Sequence, residues 1–379
     1  MRCSNREIGG PSDAVSWLIS PYNGGLSEIE GVCAASDDRT SPARGSVPLV
    51  EVRRGNLVES LHFGAIAVVD ARGRAVAAAG DPSIPVVLRS TAKPAQVLPV
   101  LDTGAAGRFH FDDEQIAVMI GSHGGEPFHV RAVRSILKAV GLDEKALQCG
   151  AHAPYHRESA RALRHRGQKP TALHNNCSGK HAGMLALTVH LGAPVDSYLD
   201  PGHPVQTLIR ARIETLANLP KDTTRLAIDG CSAPTFAMPL SSLALLYARL
   251  AQTGAGDAPD PAVRRAVAAM RGHPDMIAGT DRLCTELMRA GRHGLLAKIG
   301  AEGMYALAWE KDGTGVGLAL KISDGEGQRA RFSVALEALR QLDVLSDGEA
   351  AKLRDRFVGE VRNHRGLIVG SVGTIFRLV

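Results

Sequence analysis

Strand-forming and helix-forming sequence are segregated along this chain, and that segregation restricts the fold more than any single motif does. Apolar runs of strand character occupy 61–69, 75–79 and 86–88, then return at 226–228, 295–299, 304–309, 316–322 and 370–376. Between these groups helical periodicity dominates, over 94–101, 112–120, 127–140, 181–191, 204–217, 241–252, 260–271 and 281–290. Two more helices are expected near 329–342 and 346–356. Strands that do not alternate regularly with helices disfavour a doubly wound parallel sheet. The expectation is an α+β fold: an antiparallel sheet built from both ends of the chain, flanking helices, and a helical insertion between.

Local chemistry supports this outline. Asp70-Ala71-Arg72-Gly73 joins two apolar runs as a hairpin would, and Asp312-Gly313 signals a tight turn between two later ones. Asp112 with Gln115 three residues on has the form of a helix capping box. Residues 1–45 are rich in Gly, Ser, Pro and Asp and read as a poorly ordered extension, leaving 46–379 as one structural unit.

Composition excludes several classes. A formal charge of +5 on 379 residues, with no Lys/Arg stripe interleaved with aromatics, gives no nucleic-acid footprint. The densest basic stretch, from His156 to Lys169, reads as a solvated helix face carrying Glu158. No apolar run approaches the roughly 20 residues that span a bilayer, so no membrane partner is expected. No basic segment followed by an apolar stretch and a small-residue cleavage site opens the chain. Cys3, Cys33, Cys149, Cys177, Cys231 and Cys284 are scattered rather than crowded into a disulfide framework. Together these features lead to the expectation of a cytoplasmic protein.

Several segments carry chemistry. In Ser90-Thr91-Ala92-Lys93, a helical spacing of three puts the hydroxyl and amine on one face. A serine needs a neighbouring base, and a lysine is a base only when burial or another cation depresses its pKa. The same spacing recurs at Ser135 and Lys138 within a plain amphipathic helix, where it reads as a solvated face. Lys298-Ile299-Gly300 ends an apolar run and offers the second cation. Gly121-Ser122-His123-Gly124-Gly125-Glu126 lies between two helices and can present a hydroxyl and backbone donors. The string from His174 to Gly183 packs amides, a thiol, a lysine and two histidines ahead of an apolar helix. It is not a phosphate loop, because His174 stands where the first glycine belongs and His181 replaces Ser/Thr. Cys177 and Cys231 could bind a soft metal such as zinc, with His174, His181 and Asp229 as further candidates, or could be buried thiols. Cys177 as a nucleophile is a further option.

Taken in order, Arg89-Ser90-Thr91-Ala92-Lys93-Pro94, Gly121 to Glu126, Asn175 to Gly183, Asp229-Gly230-Cys231 and Lys298 to Gly303 resemble the asparaginase II family, the rhizobial-type or class 3 L-asparaginases, over about 47–379. The resemblance implies a serine-β-lactamase-like fold and two Ser–Lys pairs, Ser90 with Lys93 and Ser122 with Lys298. It also implies a zinc ion held by Cys177, Lys180 and Cys231 with a water, and a homodimer. Arg89, His123, Asp229 and Cys284 become candidate substrate-binding residues, with Asp229 and His181 beside the metal. The S-D-N and K-T-G motifs of penicillin-binding proteins are replaced by Ser122-His123-Gly124 and Lys298-Ile299-Gly300, which argues against β-lactam hydrolysis. The implied reaction is hydrolysis of L-asparagine by a serine acyl-enzyme. A glutaminase on the same scaffold, a non-catalytic amino-acid-binding protein and a redox-responsive thiol protein are the alternatives.

Overall fold

The computed structural model describes residues 44–252 and 260–379. The expected N-terminal extension lies outside the described residues except for its last two. Residues from 44 onward share one hydrophobic core.

The principal sheet is antiparallel and eight-stranded. Its strands are β1 (Val47–Arg54), β2 (Leu57–Asp70), β3 (Ala75–Ala79), β7 (Leu296–Ile299), β8 (Met304–Lys311), β9 (Thr314–Ile322), β10 (Val361–Arg362) and β11 (Ile368–Thr374). Their order is β10-β11-β1-β2-β9-β8-β7, with β3 paired to β2. Three short strands, β4 (Pro85–Val87), β5 (Arg225–Ile228) and β6 (Pro234–Pro239), make a second sheet in the order β4-β6-β5. Both ends of the chain therefore meet in one sheet, and the helical middle is inserted between β4 and β7, as the segregation of patterns predicts.

The turn chemistry is realised. Asp312 and Gly313 both take positive φ, at 50° and 73°, and close the β8–β9 hairpin with Lys311 opposite Thr314. Asp112 caps the helix Asp113–Ile120 in a reciprocal capping box with Gln115. Strands β8 and β9 are buried almost throughout because helices cover both faces. The helix Leu240–Ala251 lies directly on β9. A Cβ at Gly315 or Gly317 would stand 2.1 or 2.0 Å from the carbonyls of Ala248 or Ala244, so only glycine permits that contact.

Three strands went unanticipated: β1, β6 and the two-residue β10. β1 carries Glu51, Arg53 and Arg54, and its charges mask a strand whose Leu49, Val50 and Val52 are buried. β6 begins and ends with proline, which demotes a run to loop in a sequence reading. The helix expected over 94–101 is two short pieces, Lys93–Gln96 and Leu98–Asp102, each with proline near its start.

These elements converge on one line. β7 is the edge strand of the sheet and brings Lys298, the turn Arg89–Ala92 follows β4, and the loop after the helix Asp113–Ile120 brings Ser122.

Candidate active site

The site is built around the Ser122 hydroxyl. The helix Asp113–Ile120 ends at Gly121, where a Cβ would lie 2.4 Å from the Met276 carbonyl, so glycine lets two backbones touch. The Ser122 amide then donates to the Ile277 carbonyl at 2.8 Å. Farther along the same loop, the buried Glu126 carboxylate accepts from the Thr280 amide at 2.8 Å and the Thr280 hydroxyl at 2.7 Å. Ser122 is thus fixed at both ends of its loop against the segment 276–280.

Two lysines point at that hydroxyl. Lys93 Nζ lies 3.0 Å from Ser122 Oγ, 2.5 Å from the Gly121 carbonyl and 3.2 Å from the Asn176 carbonyl. Lys298 Nζ lies 2.7 Å from the same Oγ and 3.3 Å from the Ile299 carbonyl. Lys93 is 1 % exposed and Lys298 fully buried, so neither charge is solvated by bulk water. Burial, reinforced by the Lys93 charge, holds Lys298 well below the ordinary lysine value. Burial also lowers Lys93, but the Cys177 and Cys231 sulfurs oppose the shift. The three acceptors around Lys93 match the three hydrogens of an ammonium, and Ser122 can donate to the lone pair of a neutral Lys298. The geometry suits one proton charge shared by two amines through a serine.

Ser90 stands apart from this network. It lies half-buried in the 3-10 turn Arg89–Ala92, and none of the described residues hydrogen-bonds its hydroxyl. The pairing of Lys93 is with Ser122 rather than Ser90, so the structure links both lysines to one serine instead of giving each its own. Arg89 immediately before it takes φ +50°, a left-handed conformation unusual for a long side chain and a sign of strain at a functional turn. Arg89 Nε donates to Asp229 Oδ1 at 2.7 Å, which anchors that turn to the loop after β5.

The thiols come together as well. The Asn175 side chain accepts from the Cys177 amide at 2.8 Å and donates to the Cys149 carbonyl at 2.8 Å, clamping the loop before the helix Ser178–Leu191. A Cβ at Gly179 would meet the Val118 carbonyl at 2.1 Å, so the helix can approach only there. One ligand atom each from Cys177, Asp229 and Cys231 lies within 4.8 Å of the others. Lys180 Nζ is 3.0 Å from Cys231 Sγ. A hydrogen bond from Cys231, with Lys93 and Lys180 nearby, holds Cys177 well below the usual thiol range despite its burial. Cys231 is raised by that same hydrogen bond and by burial. Burial disfavours the Lys180 ammonium, yet the two sulfurs outweigh it and keep the group charged. Two sulfurs, an amine and a carboxylate form a donor set suited to a soft tetrahedral metal.

The histidines do not join that set. His181 Nδ1 lies 2.7 Å from the Tyr198 hydroxyl, and His174 caps the turn at Thr171. His123 is fully buried, with Nε2 3.0 Å from Ser178 Oγ and Nδ1 accepting from the Gly125 amide at 3.2 Å, so it braces the Ser122 loop. Cys284 Sγ lies 3.1 Å from the Tyr305 hydroxyl. The backing segment around Ile277 and Thr280 has no sequence signal, because only the fold brings it to a loop about 150 residues away in the chain.

A serine hydroxyl between two buried lysine amines is an arrangement suited to acyl transfer. The model of the L-asparaginase II family matches residues 50–374, and the chain belongs to that family. It has no match among curated proteins. Among solved structures it is similar to Mglu in its glutamate form, at 17% identity over 76% of this chain and 61% of that one, with a TM-score of 0.40. A Bacillus glutaminase is 14% identical over 74% of this chain and 91% of that one, with a TM-score of 0.36. A β-lactamase from Mycobacterium bovis is 16% identical over 74% of this chain and 95% of that one, with a TM-score of 0.32. The chain spans less than two thirds of the length of the Mglu chain in its glutamate form.

The depressed Lys298 has a thermodynamic signature. Between its folded value and the unfolded value of about 10.4 the unfolded chain binds more protons, so stability rises with pH across that window. Wild type should therefore gain on Lys298→Met in thermal unfolding as pH is raised from neutrality, by up to about 1.4 kcal/mol per pH unit inside the window. A difference between the two proteins that does not change with pH would show that Lys298 is charged in the fold.

Proposed function

We propose that the protein is a cytoplasmic L-asparaginase, hydrolysing L-asparagine to L-aspartate and ammonia through an acyl-enzyme on Ser90. The observation that carries this reading is the placement of the Ser122 hydroxyl between two buried lysine amines, one of which, Lys93, follows the unengaged Ser90 by three residues. Ser90 is the more accessible hydroxyl, since Ser122 is only 4 % exposed and already committed to both amines. Ser122 is the relay.

The proton arithmetic is simple. Lys93 passes its proton to Ser122 as Ser122 passes its own to Lys298, leaving Lys93 neutral, three residues along the chain from Ser90. Lys93 then takes the Ser90 proton as the Ser90 oxygen bonds to the side-chain amide carbon. The C–N bond breaks, and Ser122 gives a proton to the leaving nitrogen and recovers one from Lys93, so ammonia departs and the two lysines again hold one charge. Water, deprotonated by the same chain, cleaves the ester and restores Ser90. The Ser90 amide supports the oxyanion, a contribution that is often the largest single one in acyl transfer.

Cys177, Lys180 and Cys231 would hold zinc, with Asp229 beside it. When bound, the metal supplies a fixed positive charge that orients the amino-acid head group; a lysine ligand gives up its proton to that charge. Arg89 holds Asp229 towards the site from the other side. The free thiols are in keeping with a reducing compartment, and the family resemblance favours a homodimer. Zinc content measured on the purified protein should approach one ion per chain and fall sharply in Cys231→Ala. Equal zinc in both proteins would remove the thiol pair as the site.

Ammonia release tests the reaction. Wild type should turn over L-asparagine, and Ser90→Ala should lower kcat by about a thousandfold or more. Asparagine and glutamine differ by one methylene, worth about 1–3 kcal/mol of discrimination. Turnover of glutamine alone would make the protein a glutaminase with the same mechanism. Ammonia from neither substrate would favour a non-catalytic amino-acid-binding role, and undiminished turnover by Ser90→Ala would move the nucleophile elsewhere.

A further inference from the structure

A cavity of about 780 Å³ borders the two segments that carry Ser122 and Lys298 and is not explained by ammonia as a leaving group. Its wall includes Gly124, two residues beyond Ser122, and Ile299, next to Lys298. Arg89, Asp229 and the thiols take no part in its lining, so it is separate from the head-group end of the site. An ammonia molecule needs no such space.

The lining has a definite chemistry. Arg157 and Arg282 have no hydrogen bond or ion pair among the described residues. Arg331 is 8 % exposed, its Nη1 donates to the Gly300 carbonyl at 2.7 Å, and its buried Nε has no partner. Burial lowers both Lys298 and Arg331, and the charge of Arg282 adds to the shift of each. The carboxylates present are mostly taken: Glu126 is held by Thr280, and Asp281 is paired with Arg356, leaving Glu158. The remaining wall is apolar, from Leu283, Phe332 and Phe357. An arginine-lined pocket with an apolar wall suits a free carboxylate attached to a hydrocarbon side chain.

We infer that the cavity receives the leaving group of a larger amide, and that the protein also cleaves β-aspartyl amino acids whose leaving half carries an apolar side chain and a free carboxylate held by Arg282 and Arg331. This rests on the acyl-enzyme reading above. Ser90 Oγ bonds to the β-carbonyl carbon and the C–N bond to the second amino acid breaks. Ser122, two residues before Gly124 of the cavity wall, gives its proton to that nitrogen and recovers one from Lys93, and the amino acid departs intact. Water then hydrolyses the same aspartyl ester formed from asparagine. No oxidant or co-reactant is required.

The test is turnover of β-L-aspartyl-L-leucine by the full chain, followed as free leucine, with L-asparagine run in parallel. Wild type should release leucine, and the same dipeptide with its leucine carboxylate amidated should be a poorer substrate by about tenfold, the scale of a lost charged hydrogen bond. Arg282→Gln, at a partly exposed position that folding tolerates better than Arg331, should lower kcat/KM for the dipeptide about tenfold more than for L-asparagine. Ammonia from asparagine without leucine from the dipeptide would overturn the inference and leave the asparaginase reading standing. Leucine release that ignores both the amidation and the Arg282 substitution would overturn the arginine assignment. No product from either substrate would fail the underlying reading.

Discussion

Two lysine side chains are driven into a dry pocket and left with one serine hydroxyl between them, and the rest of the site follows from that contact. Two ammonium groups so close in a low-dielectric interior repel strongly, so the pair keeps one charge rather than two. Which amine holds it depends on the balance of its surroundings: three acceptors and the sulfurs of Cys177 and Cys231 favour the charge on Lys93, while burial and the Lys93 charge disfavour it on Lys298. Such a balance is easily tipped when a substrate enters, which is what a proton relay requires.

Holding this arrangement demands a backbone without slack. Gly121 and Gly179 allow main chains to meet at distances no other residue permits. Glu126 and the Ser122 amide tie the serine loop to the segment 276–280, and the edge strand β7 delivers Lys298 from the sheet. The helical insertion and the sheet therefore contribute one lysine each to a single hydroxyl. Neither half carries the site alone.

Much of this was legible in the sequence, and for identifiable reasons. The segregated periodicities disclose an antiparallel sheet closed from both ends, because side-chain period is imposed by burial. Ser90, Lys93, Ser122, Lys298 and the two thiols stand in short motifs whose chemistry is local. What was hidden depends on long-range approach. That Lys93 would bond Ser122 rather than Ser90 cannot be read from a spacing of three, since the lysine is bent towards carbonyls of Gly121 and Asn176. The histidines of the His174–Gly183 string looked like ligands, but His181 turns to Tyr198, a partner 17 residues on that no motif announces. Arg282 and Arg331 carry no motif either, and gain meaning only as walls of the same cavity.

The central claim is that Lys93 and Lys298 share a single charge through Ser122. Side-chain NMR of protein with isotopically labelled lysine, titrated through the neutral and alkaline range and assigned with Lys298→Met, observes it directly. One lysine amine should titrate far below the others in wild type and vanish in the variant, while the Lys93 signal moves towards the ordinary lysine range. Two buried lysines that both remain charged until the ordinary lysine range would contradict the account.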